Sequence, residues 1–227
     1  MKGDIGMHPL LDGIRLVAFD LDGTLVDSVP DLAAAVDDAL SDLEMPAPGE
    51  RKVRDWVGNG SMVLIERALR DAQGRDADPE LCRQAHDRFL VHYAQRPCSA
   101  TRLYPGVREA LDALRGTGRI LVLVTNKPEA FIAPILEHFE LGGHFSLCLG
   151  GDSLVRRKPD PLPLTHAAER FAVPPSSCLM VGDSRHDIAA GRAAGFRTLA
   201  VPYGYNHGEP VAASGPDGVV ESLKELV

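Results

Sequence analysis

Two aspartates separated by a single residue are the first feature of this sequence that could do chemistry. Asp20 and Asp22 lie in the segment Asp-Leu-Asp-Gly-Thr-Leu-Val-Asp-Ser at residues 20–28, directly after an apolar run. In an extended chain, residues i and i+2 point to the same side, so the two carboxylates share one site. Like charges this close are costly unless a cation lies between them or one carboxyl is protonated. Taken alone, the motif fits equally well with an acidic turn that caps the next helix.

Three further polar motifs each follow a later apolar run. They are Thr125-Asn126-Lys127, Lys158-Pro159-Asp160-Pro161 and Gly182-Asp183-Ser184-Arg185-His186-Asp187. Each alone has a plain structural interpretation, as a helix cap, a solvated basic face or a turn. The carboxyl ends of parallel strands meet at one edge of a sheet. Because all four motifs follow predicted strands in order, the combination favours a single active site.

The elements that must position these motifs are short strands alternating with helices. Apolar, β-branched runs lie at residues 14–19, 120–124, 145–149, 178–181 and 197–201. Their near-continuous hydrophobicity is typical of strands buried on both faces. Helices are predicted between them at residues 128–139, 160–171 and 187–194. The sequence therefore predicts the α/β class, with a Rossmann-like core of parallel strands.

One segment interrupts this alternation. Between residues 30 and 97 no strand-like run appears, and residues 30–43, 62–71 and 79–93 have helical spacing of apolar residues. We expect an inserted α-helical cap domain at residues 28–103, with hinges at 27–29 and 96–104. The catalytic core is then residues 1–27 and 104–227.

Composition restricts the partners of the chain. Its 24 basic and 32 acidic residues give a net charge of −8, which disfavours nucleic acid and anionic membranes. No apolar run is long enough for a membrane span, and the start of the chain is too short and polar for a signal peptide. The four cysteines suggest reduced thiols, so we expect a cytoplasmic protein. The histidines form no zinc motif, and His186 and His207 are expected at the surface.

The four motifs together resemble those of the haloacid dehalogenase superfamily of phosphatases. The matching segments read DLDGTLVDS at 20–28, TNK at 125–127, KPDP at 158–161 and GDSRHD at 182–187. The resemblance covers nearly the whole chain, including a helical cap inserted between the first two motifs. It implies a haloacid dehalogenase-like fold and a magnesium-dependent phosphatase that acts on a small-molecule phosphomonoester.

The resemblance also implies roles for the acidic residues. Asp20 would be the nucleophile that forms an aspartyl-phosphate, and Asp22 would move protons to the leaving group and from water. Mg²⁺ would be held by the carboxylates of Asp20 and Asp183 and by the backbone carbonyl of Asp22, while Asp187 would bind the metal or its waters. The need for cations is independent of the family. A phosphate dianion repels a carboxylate, so cations must neutralise negative charge before the two groups can come together.

The remaining implied roles concern the phosphate and the leaving group. Thr125, the Asn126 amide and Lys158 would bind phosphoryl oxygens. The cap loop Gly58-Asn59-Gly60 could be a simple connector between helices. By resemblance, it contacts the leaving group when the cap closes over the site.

A narrower resemblance is to the bacterial phosphoglycolate phosphatases, a branch of this superfamily. Residues 56–60 and 203–206 carry it. It implies hydrolysis of 2-phosphoglycolate to glycolate and phosphate. Two alternatives share the core motifs: a phosphatase for another small phosphate, such as a phosphosugar of cell-wall recycling, and a β-phosphoglucomutase-like phosphotransferase. A non-enzymatic receiver-like module is disfavoured by the second aspartate, the lysine and the cap. The sequence does not reveal the oligomeric state.

Overall fold

The computed structural model describes residues 6–227 and contains eight strands. The strands are β1 (Leu16–Phe19), β2 (Val26–Asp27), β3 (Arg102–Leu103), β4 (Ile120–Val124), β5 (Leu147–Leu149), β6 (Cys178–Gly182), β7 (Arg197–Ala200) and β8 (Gly218–Val219). Six of them form one sheet in the order β5-β4-β1-β6-β7-β8, and every pairing in it is parallel. The predicted α/β class with a parallel core is confirmed.

Eight α-helices accompany these strands in the described part of the chain. They are α1 (Val29–Ser41), α2 (Glu50–Trp56), α3 (Ser61–Gln73), α4 (Pro79–Gln95), α5 (Val107–Gly116), α6 (Ile132–His138), α7 (Leu162–Arg170) and α8 (Arg185–Ala193). The predicted helices all occur, within a few residues at their ends. The prediction missed α2, because this seven-residue helix buries only Val53 and therefore shows no apolar periodicity. It also missed α5, although this helix has an apolar face of Val107, Ala110, Leu111 and Leu114.

The sheet is covered on both faces. All four residues of β1 are buried, with Val17 and Phe19 in one apolar cluster and Leu16 and Ala18 in another. This explains the unbroken hydrophobic run, since alternate side chains of a central strand enter different cores. No helix in the described residues is long and apolar enough to cross a membrane.

Helices α1 to α4 pack around an apolar cluster of their own. Buried residues of all four helices contribute to it, together with Phe131 and Tyr205 from the sheet-containing part of the chain. The two parts therefore share an apolar contact. The division into a core of residues 1–27 and 104–227 and a cap of residues 28–103 remains our proposal.

The two chain segments that join these parts are tied together. Strands β2 and β3 pair antiparallel, with Asp27 opposite Arg102. The buried Asp31 carboxylate accepts hydrogen bonds from the backbone N–H groups of Ala100 and Thr101 at 2.9 and 2.7 Å, and from the Thr101 hydroxyl at 2.6 Å. One aspartate at the start of α1 thus holds the returning segment in place.

We expect Asp31→Ala to destabilise the protein by about 2 kcal/mol or more, because it leaves buried donors without an acceptor. Urea unfolding followed by circular dichroism measures the effect. Asp76→Ala is the matched control, since it removes an exposed aspartate paired with Arg70 and should cost at most about 0.5 kcal/mol. Equal, small effects of the two substitutions would contradict the assigned role of Asp31.

Candidate active site

The sheet topology brings the four polar motifs to one edge. Asp20 follows β1, Thr125 follows β4, Asp183 follows β6, and the loop after β5 carries Lys158. Strands β5, β4, β1 and β6 are neighbours in the parallel sheet, so their carboxyl ends lie side by side. The motifs are therefore adjacent in space although up to 163 positions separate Asp20 from Asp183 in the sequence.

Asp20 is a buried carboxylate with two hydrogen-bond donors. The Leu21 N–H donates to its Oδ1 at 2.7 Å, and the Lys158 ammonium lies 3.0 Å from the same oxygen. Burial raises the pKa of Asp20 to about 7. The charge of Lys158 opposes this rise, whereas the carboxylates of Asp187 and Asp22 add to it. Asp20 is thus a carboxylate whose negative charge is only partly compensated by the protein.

Three buried carboxylates form one cluster. Oxygens of Asp20, Asp183 and Asp187 all lie within 4.8 Å of one another. Asp183 accepts hydrogen bonds from the Thr24 hydroxyl at 2.8 Å and the Tyr205 N–H at 2.6 Å. Burial, followed by repulsion from the other two carboxylates, raises the pKa of Asp183 well above its usual value. Such a cluster of oxygen donors suits a hard divalent cation.

Lys158 is held between two of these carboxylates. Its ammonium donates to Asp187 Oδ1 and to the Val124 carbonyl, both at 2.6 Å. The other oxygen of Asp187 accepts from the N–H and hydroxyl of Ser184, which closes a capping box at the start of α8. Burial alone would lower the pKa of Lys158, but Asp187 and Asp20 raise it, so the lysine carries its charge.

Asp22 has different partners from Asp20. Its Oδ1 accepts from the Ser28 hydroxyl at 2.6 Å, and the Lys127 ammonium lies 3.1 and 3.2 Å from its two oxygens. Lys127 is itself buried and lies 4.6 Å from the centre of the Tyr93 ring. Lys127 belongs to the Thr125-Asn126-Lys127 motif but was not among the predicted site residues, because no local pattern indicates its pairing with Asp22.

Thr125 and Asn126 both lie buried at the end of β4. The Thr125 hydroxyl accepts from the Lys127 N–H at 3.3 Å. The side-chain amide of Asn126 donates to the carbonyls of Gly58 and Lys158, each at 3.0 Å. It therefore joins the cap loop to the loop that carries Lys158.

The cap loop contacts the core at a second point. Gly58 and Gly60 adopt φ angles of +119° and +91°, which favour glycine, and the amide nitrogen of Asn59 lies 2.9 Å from His186 Nε2. His186 and His207 lie with ring centres 5.7 Å apart. Both are half-buried, so the expected surface position is wrong. Burial lowers the pKa of His186 to about 4, which keeps the ring neutral and able to accept from Asn59.

A small cavity of about 40 Å³ lies above Asp20 and Asp22, between the cap and the sheet edge. The lining residues of the sheet edge are Asp20, Asp22, Thr125, Asn126, Lys127, Pro128 and Phe131, and those of the helical part are Leu32, Val57, Gly58, Gly60, Ser61, Leu64, Phe89 and Tyr93. Its floor is therefore polar, whereas most of its walls are apolar.

Comparison with known proteins identifies similar chains. The sequence pattern of the haloacid dehalogenase-like hydrolases matches residues 14–195. A phosphoglycolate phosphatase of Pseudomonas savastanoi pv. phaseolicola is 48% identical over 214 residues, which are 94% of this chain and 78% of the relative. A phosphoglycolate phosphatase of Vibrio parahaemolyticus is 47% identical, and the match covers 94% of this chain and 95% of the relative. The crystal structure of a predicted phosphoglycolate phosphatase from Haemophilus somnus 129PT superimposes with a TM-score of 0.90 at 39% identity. The superposition covers 94% of this chain and 96% of the other chain.

The carboxylate cluster generates a prediction about pH. A divalent cation such as Mg²⁺ must displace protons from carboxylates whose pKa values are raised. Since the pKa of Asp20 is about 7 without metal, Mg²⁺ should bind more weakly at pH 6 than at pH 8. Isothermal titration calorimetry at the two pH values measures this. Asp183→Asn should weaken binding about tenfold or more, whereas the exposed Asp112→Asn should leave it unchanged. Equal affinity at both pH values would contradict the assignment of the cluster.

Proposed function

Because the chain belongs to the haloacid dehalogenase-like hydrolase family, we propose that it hydrolyses a phosphomonoester through an aspartyl-phosphate on Asp20. The observation that carries this is the buried carboxylate of Asp20, which lies at the floor of the cavity and beside Lys158 and two further carboxylates. Phosphoryl transfer needs a positioned nucleophile together with cations that stabilise charge on the phosphoryl oxygens, and these neighbours support that role.

In the proposed reaction Asp20 attacks phosphorus and Asp22 handles protons. The bond from Asp20 to phosphorus forms as the bond to the leaving oxygen breaks, and Asp22 gives that oxygen a proton. Water then attacks phosphorus, loses a proton to Asp22, and releases phosphate and Asp20. The different partners of the two carboxylates support this division, since only Asp20 lies in the metal-binding cluster.

Cations must offset the repulsion between Asp20 and a phosphate dianion. We assign Lys158, Thr125 and Asn126 to the phosphoryl oxygens, as all three are buried around the nucleophile. The donor set of Asp20, Asp183 and Asp187 fits Mg²⁺, with the Asp22 backbone carbonyl as a further ligand. Bound there, Mg²⁺ would neutralise charge on the phosphoryl oxygens.

The substrate we propose is 2-phosphoglycolate, which gives glycolate and phosphate. The curated relatives that match over nearly the whole chain at 46–48% identity are named phosphoglycolate phosphatases. The cell-wall phosphosugar and the phosphoglucomutase-like alternatives are not favoured, since these relatives are named for 2-phosphoglycolate hydrolysis. We further propose that the cap loop Gly58-Asn59-Gly60 closes over this leaving group.

The location in a reducing cytoplasm stays a prediction. All four cysteines are free thiols in the structure, which is compatible with it.

Separate roles for the two aspartates can be tested by trapping the phosphoenzyme. Asp20→Asn should form none with any substrate, whereas Asp22→Asn should still form it from p-nitrophenyl phosphate, whose leaving group needs little protonation. Turnover of Asp22→Asn should fall by about 10²–10⁴-fold, the usual contribution of general acid–base catalysis. Intact-protein mass spectrometry of rapidly quenched reactions measures the added phosphoryl group. Phosphorylation of the Asp20→Asn protein, or identical behaviour of the two variants, would refute the division of roles.

Removal of the metal provides an independent test. EDTA should abolish hydrolysis of 2-phosphoglycolate, and Mg²⁺ should restore it better than Ca²⁺, because Ca²⁺ prefers more ligands at longer distances. Phosphate release measured after dialysis and metal addition shows the result. Full activity of the chelated protein would exclude the metal from the reaction.

A further inference from the structure

The cavity above Asp20 has an uneven distribution of charge. Its wall towards the cap is formed by apolar side chains, among them Leu64, Phe89 and Tyr93. Among the lining residues in the described part of the chain, Lys127 is the one cationic side chain. The proposed leaving group carries a carboxylate, and a charged group in an apolar cavity must be paired. The structure therefore offers one lining side chain as its counter-charge.

The surroundings of Lys127 keep its ammonium charged and in place. Its side chain is only 2% exposed, and the pairing with Asp22 and the contact with the Tyr93 ring fix the ammonium at the cavity floor. The pairing with a carboxylate at 3.1 Å favours the charged ammonium. An ammonium has three N–H donors, so one can turn to a ligand while the Asp22 contact persists.

The distance from Asp22 matches the proposed substrate. In 2-phosphoglycolate the carboxylate carbon is two bonds from the leaving oxygen, which Asp22 must reach to protonate it. The Lys127 ammonium lies 3.1 Å from an Asp22 oxygen. A carboxylate attached to the leaving group by one methylene therefore comes within reach of Lys127 when the leaving oxygen contacts Asp22.

The first turn of α3 provides further donors to the cavity. Gly60 and Ser61 line the cavity, and the helix has a glycine N-cap without a side-chain acceptor. Its first N–H groups are therefore available to an anion. Ser61 Oγ lies 2.8 Å from His86 Nε2. With the imidazole proton on Nε2, His86 donates to Ser61 and leaves the hydroxyl hydrogen for a ligand.

We propose that Lys127, assisted by the first turn of α3, forms a carboxylate subsite that selects substrates bearing an acid group next to the leaving oxygen. This assignment rests on the proposed function, since it presupposes hydrolysis of a phosphomonoester at Asp20. It explains why a lysine that contacts no part of the carboxylate cluster is buried beside the proton-transferring aspartate.

The test compares two substrates that differ only in the recognised group. They are 2-phosphoglycolate and 2-hydroxyethyl phosphate, in which a hydroxymethyl group replaces the carboxylate. The measured quantity is the ratio of their kcat/KM values, because damage to Asp22 or to the nucleophile affects both substrates and cancels in the ratio. We expect Lys127→Met to lower the ratio by about tenfold or more.

Three further variants complete the experiment. Lys127→Gln can still donate to Asp22, so it should fold where Lys127→Met does not, and should lower the ratio similarly. Lys52→Met removes a half-exposed cap lysine paired with Asp71 and should leave the ratio unchanged. Arg157→Met removes an exposed guanidinium that lies against the cavity-lining Gly60, and it tests a second cation near the cavity.

The outcomes distinguish failure of the carboxylate subsite at Lys127 from failure of the proposed function. A ratio that falls in both Lys127 variants and in neither control supports the subsite. An unchanged ratio in the Lys127 variants, or a fall only in Arg157→Met, overturns the subsite while the phosphatase activity stands. A wild-type protein that hydrolyses both substrates equally well overturns the proposed substrate and the subsite together.

Discussion

Repulsion among three buried carboxylates is the interaction on which the rest of this structure depends. Asp20, Asp183 and Asp187 come from the ends of two neighbouring strands and the helix after one of them, and their oxygens lie within 4.8 Å. The parallel sheet brings these three carboxylates together, but it cannot neutralise their negative charge. Lys158 supplies one positive charge between Asp20 and Asp187, and hydrogen bonds from Thr24 and Tyr205 stabilise Asp183. Burial, together with the charge that remains, raises the pKa values of Asp20 and Asp183, and the remaining charge favours a bound cation.

The same residues connect this cluster to the cap. Tyr205 donates its backbone N–H to Asp183, while its hydroxyl contacts Asp27 and the Ser28 N–H at the first connection to α1. Asn126 joins the cap loop to the loop carrying Lys158. The position of the helical part and the charges at the sheet edge are thus linked by hydrogen bonds.

Much of this could be predicted from sequence because the signals are local. Strands buried on both faces are continuous apolar runs, as in the buried β1, and the polar motifs follow them directly in the chain. Parallel order then requires Asp20, Thr125, Lys158 and Asp183 to meet, whatever the details of packing. The inserted helices also follow from periodicity, since α1, α3 and α4 each have an apolar face. Helix α2 has only one buried residue and gives no such signal.

Other features were decided by the tertiary structure alone. The pairing of Lys127 with Asp22 joins residues 105 positions apart, and the contact of Asn59 with His186 joins residues 127 positions apart. No local pattern encodes either, because the first contact joins the loops after β1 and β4 and the second joins the loop before α3 to the start of α8. The sequence by itself determined the parallel core, the inserted helices and the chemistry of the motifs. Packing alone decided which lysine faces Asp20 and which faces Asp22. Packing also decided that two histidines are half-buried against the cap, since burial and pKa depend on distances in space.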